Sequence, residues 1–108
     1  INIQNEVKKV FVHENLEKYI VSIVSATRNH PSVRLGASPR ASLALYRTAQ
    51  ATAYINGRDF VIPDDIQKMV IPVMAHRIIL SQETKFSNTT ADDVLNEIKK
   101  SVPVPSGK

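Results

Sequence analysis

The 108-residue chain contains no cysteine. That excludes disulfides, thiolate zinc sites and a cysteine nucleophile. Histidine is scarce, and His13, His30 and His76 stand without metal-binding spacing. His13 and Glu17 share a predicted helix face, but two such ligands at an exposed helix start read as solvated side chains, so no metal is expected. None of the three glycines belongs to a glycine-rich loop followed by Lys-Ser or Lys-Thr. Nothing here can therefore cradle a triphosphate unaided. Long apolar runs are missing too: the best stretch, 19–24, is short and interrupted by Ser22, well below a membrane span. No signal-peptide pattern opens the chain. No serine has a histidine and acid arrangement that would nominate it as a nucleophile. The paired acids Asp64-Asp65 and Asp92-Asp93 point apart on a helix, and capping accounts for both at predicted helix starts. A free-standing enzyme has no visible equipment in this chain.

What is present is the balance of a soluble globular protein, with 43% apolar and 22% charged residues. The length suits one small domain with a modest core, folding alone or against a neighbour. The chain opens with Ile1 rather than methionine, which suggests a piece of something longer. A net charge of +4 invites a nucleic-acid reading. The basic residues argue against it, because Arg28, Arg34, Arg40, Arg47, Arg58, Lys68 and Arg77 are scattered singly and no aromatic residues interleave with a basic cluster.

The pattern predicts an all-α fold, a small bundle of four to five helices with at most one minor two-stranded pairing. Residues 6–12 read as a short helical end running into a turn. A helix over 13–29 follows, with Leu16, Tyr19, Ile20, Ile23, Val24 and Thr27 on one apolar stripe, and Pro31 stops it. Residues 31–37 read as a loop with Gly36 as its flexible point. Ser38-Pro39 opens a second helix, the serine hydroxyl as cap and the proline at the first helical position. It runs to about residue 56, with Gly57 as its stop. Ala37, Ala41, Ala44, Ala49, Ala51 and Ala53 put small residues on more than one of its faces, which suits the hub of a bundle. After an extended link at 58–62, Pro63-Asp64-Asp65 opens a third helix, and Pro72 is expected to break it or start a short helix to about residue 77. Residues 77–80 read as extended and pairing with 60–62, and 81–88 as a surface loop. A last helix starts at Thr90, with Asp93 completing an acidic variant of the capping box and Val94, Leu95 and Ile98 buried. Residues 102–105 are extended, and 106–108 read as frayed.

Arg40 breaks a local rule. It falls in the first turn of the second helix, at the positive end of the macrodipole, where a cation costs about 0.3–1 kcal/mol. Such conflicts concentrate at functional sites. Free backbone N–H groups at a helix start suit an anion, and a guanidinium beside them adds a donor fork matched to phosphate oxygens. The plain alternative is an arginine paired with a local acid or reaching water.

At these residues the chain resembles a known family. Leu35-Gly36-Ala37-Ser38-Pro39-Arg40-Ala41 is similar to the sensor 2 motif of MoxR-type AAA+ ATPases. Tyr19-Ile20-Val21, Ala26-Thr27-Arg28 and His30-Pro31 resemble the helix that precedes it. Gly57-Arg58-Asp59-Phe60-Val61 with Pro63-Asp64-Asp65-Ile66, then Pro72-Val73, His76-Arg77 and the tail Val102-Pro103-Val104-Pro105, continue the match from about residue 7 to residue 105. One departure is Ile62, where the family often has a threonine able to cap the third helix.

The resemblance implies a single C-terminal AAA+ lid subdomain over 1–108, with 1–12 as a lead-in and 102–108 as an extended tail. In such ATPases an α/β core outside this chain holds ATP and magnesium through its Walker motifs. Arg40, with Gly36, Ser38 and Pro39 around it, would contact the terminal phosphates, sense ATP against ADP and neutralise charge during transfer. The implied partners are the chain's own AAA+ core, neighbouring subunits of a homo-oligomeric ring (commonly a hexamer) and a von Willebrand A domain protein. The implied setting is a cytoplasmic, chaperone-like machine, with no nucleic acid or membrane engaged and no activity in the isolated lid. Arg34 is a second candidate for phosphate contact. Arg28 reads as structural, and Arg58-Asp59 with His76-Arg77 as a buried polar network. The competing classes are a helical nucleic-acid module, which would bind DNA tightly and salt-sensitively, and an adaptor domain, which would capture a partner without nucleotide.

Overall fold

Apolar residues recurring every three or four positions produce the buried face of the first long helix, and α2 (Glu14–Asn29) buries Leu16, Tyr19, Ile20, Ile23, Val24 and Thr27. The computed structural model describes residues 3–105. The expected fraying of 106–108 lies outside them. Before α2 comes a short helix, α1 (Ile3–Lys8). After it come β1 (Val33–Leu35), α3 (Pro39–Ile55) and α4 (Pro63–Met74). A 3-10 turn (Ala75–Arg77), β2 (Ile79–Leu80), α5 (Gln82–Phe86) and α6 (Ala91–Ser101) complete the order. The described residues thus form an all-α bundle of six helices, one or two more than expected because α1 and α5 are short, with one two-stranded antiparallel sheet. No helix among them is long and apolar enough to cross a membrane.

The hub is α3, which packs against α1, α2 and α4. Ala41, Leu45, Ala49 and Ala53 follow one another at four-residue intervals and are fully buried. Three of these four are alanines, whose small side chains suit the close approach of α4, against which α3 packs most extensively. Gln50 is buried on another side of α3, where its amide donates to Val10 O at 2.8 Å and Lys8 O at 3.4 Å. Arg47 donates to its Oε1 at 3.0 Å, so the polar groups of this core residue are matched. α6 closes the bundle through Val94, Leu95 and Ile98. Its capping box is present in both directions: Asp93 N–H donates to Thr90 Oγ1 at 3.1 Å and Thr90 N–H to Asp93 Oδ2 at 3.0 Å.

Four expectations are corrected. β2 does not pair with 60–62; it pairs with β1, Val33 opposite Leu80 and Leu35 opposite Ile79. Phe60 instead bridges Phe11 in parallel, with Phe11 N–H donating to Asp59 O at 2.8 Å and Val61 N–H to Phe11 O at 2.9 Å. The 31–37 loop therefore holds a strand, too short for alternation to register. Pro72 does not break α4, which runs on to Met74. Its missing N–H frees only the Lys68 carbonyl, and both residues lie on the exposed face where water can serve it. The 81–88 stretch contains α5, started by Ser81, whose Oγ accepts from Thr84 N–H at 3.2 Å.

The fourth correction concerns the polar network. Asp59, His76 and Arg77 are exposed. Arg77 Nε donates to Val73 O at 2.9 Å. Arg58 pairs with Asp65, both terminal guanidinium nitrogens donating to the carboxylate at 2.7 Å. Asp65 is therefore more than a helix-start charge. It is buried, and it also accepts from Ile62 N–H at 2.9 Å, supplying the anchor at the start of α4 that Ile62 cannot. Burial alone would raise its pKa, but the bonds from Arg58 and Ile62, with the charges of Arg58 and Lys68, outweigh this and hold it below its ordinary value.

Removing one partner of a buried pair costs roughly 3–5 kcal/mol. With the Arg58 side chain 24% exposed, Asp65→Asn is expected to lower stability by about 3 kcal/mol in urea unfolding. A carboxyl depressed in the folded state stabilises above its unfolded pKa, about 3.9, and loses that contribution as pH falls through the folded value. The wild-type chain should therefore show a loss of stability below about pH 4 that Asp65→Asn lacks. Parallel acid limbs would show that the pair contributes nothing.

Candidate functional site

The junction between α2 and α3 is built by two successive residues in the last turn of α2. Thr27, fully buried, donates its hydroxyl to Val24 O at 2.6 Å and accepts from Ala37 N–H at 3.0 Å. Arg28 Nε donates to Ala37 O at 2.9 Å. Both backbone groups of Ala37 are thus held from one side, and its side chain is buried. Gly36 makes this possible. A Cβ there would lie 2.7 Å from the Arg28 Cα and Cγ and 2.8 Å from its backbone nitrogen. The glycine is needed for close approach to α2 and is no flexible point.

From this anchor the chain enters α3. Ser38 has the extended N-cap conformation (φ −76°, ψ 166°), and Pro39 takes the first helical position. The expected serine cap is absent, because the Ser38 hydroxyl makes no capping hydrogen bond. Ala41 N–H donates to Ser38 O at 2.9 Å, and no side-chain hydrogen bond caps the start of the helix. Every other α-helix among the described residues carries an acid in its first turn: Glu6, Glu14 and Glu17, Asp64 and Asp65, Glu83, and Asp92 and Asp93. The first turn of α3 has none, and it holds Arg40.

Arg40 is exposed, as are Ser38 and Pro39. Among the described residues it takes no part in an ion pair or side-chain hydrogen bond; the ion pairs join Lys9 to Glu6, Lys18 to Glu14, His30 to Glu97 and Arg58 to Asp65. The arrangement presents an uncompensated guanidinium beside an uncapped helix N-terminus, both favouring an external anion. Chemically it can bind and neutralise negative charge; it holds no nucleophile or general base. Arg28 reaches the same junction but commits its Nε to Ala37, in line with a structural role. Arg34 is exposed on β1, two residues before Gly36. Beside the site, Pro39, Leu43 and Tyr46 of α3 and Val21 of α2 line an open cleft, and Val21 and Leu43 remain more than half exposed.

Sequence reasoning placed Gly36, Ser38, Pro39 and Arg40 together but missed the latch formed by Thr27, which it counted as one more member of an apolar stripe. A hydroxyl in the last turn of a buried stripe was the available signal. His13 caps α2 by accepting from Asn15 N–H at 3.1 Å, which occupies its Nδ1.

A family model described as the AAA lid domain matches residues 25–98. The Bacillus subtilis protein YeaC, of uncharacterised function, is 47% identical over 97% of this chain and 33% of its own length. Chaperone MoxR1 of Mycobacterium tuberculosis is 35% identical over 88% of this chain and 28% of its own length. Protein MoxR of Paracoccus denitrificans is 38% identical over 61% of this chain and 23% of its own length. A crystal structure from Cytophaga hutchinsonii, of a protein provisionally assigned as an ATPase, superposes with a TM-score of 0.90 at 35% identity, over 94% of this chain and 34% of that one. The chain spans about a third or less of the length of each of these proteins.

If Gly36 serves close approach, Gly36→Ala must push α2 and the α3 start apart. The expected cost is about 1–3 kcal/mol, the usual range for overpacking, read from the shift of the urea midpoint. Loop glycines without such contacts are stabilised by alanine, by about 0.4–1 kcal/mol. A neutral or stabilised variant would refute the tight contact.

Proposed function

Because the chain belongs to the AAA lid domain family, within the MoxR branch of the AAA+ ATPases, we propose that it is the nucleotide-responsive lid of an ATP-hydrolysing machine, with Arg40 as its sensor 2 residue. The observation that carries this reading is the exposed Arg40, which has no partner among the described residues, at the acid-free start of α3, where no side-chain cap is formed. ATP and its magnesium sit in an α/β core outside this chain. The lid presents Arg40 to the terminal phosphates, where the guanidinium fork and the backbone N–H groups at the helix start bind oxygen. Phosphoryl transfer depends chiefly on positioning and electrostatics, so a donor held on a rigid helix both reads the γ-phosphate and stabilises the charge that moves during transfer. Gly36, Ser38 and Pro39 bring that helix start close to the anion, and Arg34 offers a second, more peripheral cation. The partners of this reading are the chain's own core, the neighbouring subunits of a homo-oligomeric ring, commonly a hexamer, and a von Willebrand A domain protein working beside it in a chaperone-like, cytoplasmic machine.

In the complete ATPase, Arg40→Ala is expected to lower kcat by about 10²–10³, the loss typical of one preorganised donor, while the melting temperature stays near that of the wild type. The isolated 108-residue chain should hydrolyse no ATP. Turnover of Arg40→Ala at the wild-type rate would remove Arg40 from the mechanism, and hydrolysis by the isolated chain would overturn the lid assignment of function.

A further inference from the structure

The C-terminal end of α3 carries a covalent liability that the ATPase reading leaves unused. Asn56-Gly57 is the one place in the sequence where asparagine precedes glycine. Both residues are exposed, and a Cβ on Gly57 would meet nothing within 4 Å. Glycine offers no side chain to shield its backbone nitrogen, so solvent base reaches the Gly57 N–H whenever it is released. The deprotonated nitrogen then attacks the Asn56 side-chain carbonyl carbon. The Cγ–Nδ2 bond breaks and ammonia leaves with the proton. Water opens the resulting cyclic imide at either carbonyl, giving aspartate or isoaspartate at position 56. The net exchange is one water for one ammonia, with no oxidant or reductant.

We propose that Asn56 is a deamidation and isoaspartate site gated by the α3 C-cap. In the folded chain both reacting groups are engaged. Gly57, at φ +77°, donates its N–H to Tyr54 O at 3.0 Å, and Arg58 N–H donates to Ala53 O at 2.9 Å; these two bonds are the Schellman pair. The Asn56 amide donates to Thr52 O at 2.8 Å. Attack requires both the Gly57 bond and the Asn56 bond to open, so the reaction rate follows local unfolding of the last turn of α3. The consequence reaches beyond the cap. Arg58, two residues on, is the cation that holds Asp65 at the start of α4. An isoaspartyl link adds a methylene to the main chain just before it and places a new negative charge beside it. The modified chain therefore loses the Schellman spacing and weakens the tie between α3 and α4.

The test incubates the 108-residue chain in mildly alkaline buffer, folded and in concentrated urea, and follows residue 56 by peptide mapping with isoaspartate detection. Modification is expected at Asn56 before any other asparagine, about tenfold or more slower in the folded chain. Asp65→Asn, which releases Arg58, should speed the folded-state reaction, and Asn56→Gln should abolish it. Equal rates in folded and unfolded chains would overturn the gate. Failure of residue 56 to react in urea, or prior modification elsewhere, would overturn the site. None of these readouts depends on ATP hydrolysis, so the outcome is independent of the proposed role of Arg40.

Discussion

The position of α3, and with it everything this domain presents to its surroundings, depends on the grip that the last turn of α2 takes on Ala37. Thr27 and Arg28 hold the N–H and the carbonyl of one residue from the same side, and Gly36 lets the backbone come close enough for both bonds. A single buried hydrogen bond contributes only about 1 kcal/mol net, but losing a partner leaves a buried polar group that costs more. Two such bonds on one residue leave it little freedom to rotate. The helix start at Pro39, two residues later, inherits that fixed direction.

α3 then acts as a strut secured at both ends and along its middle. Its alanine ridge sets the distance to α4, and Gln50 ties its flank to the segment leading out of α1. Its far end stops at Gly57 and hands the chain to Arg58, whose paired bonds to Asp65 fix where α4 begins. At about 1.5 Å per residue, seventeen residues carry rigidity over about 25 Å.

The long elements were legible because periodicity and caps are local signals. The stripe on α2, the core residues of α6, the Thr90–Asp93 box, the proline at the start of α3 and the Gly57 stop need only neighbours within a few positions. The misread pairings share one cause. Which strand meets β2, what Arg58 pairs with and how Phe11 bridges Phe60 are decided by contacts between residues far apart in the chain, and a three-residue strand has no period to read. Pro72 misled because the rule against proline inside a helix assumes a buried carbonyl, and here the freed carbonyl faces water. At the candidate site the order of residues was readable from the motif. The physical jobs were not: Gly36 serves contact rather than flexibility, and Ser38 occupies the cap position without using its hydroxyl.

That unused hydroxyl bears on the electrostatics of the site. Five helix starts in the described residues are neutralised by their own acids, and several are capped by a side chain as well. The remaining one, at α3, has neither acid nor side-chain cap, and adds a cation to its positive end. The local cost is of order 1 kcal/mol, small against the burial of four ridge residues on the same helix, since apolar burial of a leucine-sized side chain alone contributes about 1.5–3 kcal/mol. The fold can therefore carry this unfavourable end indefinitely without an internal counter-charge. Any anion arriving there gains twice, from the helix start and from the guanidinium, and pays no competing intramolecular pair. An aspartate at residue 38 would have improved the helix and cancelled that gain.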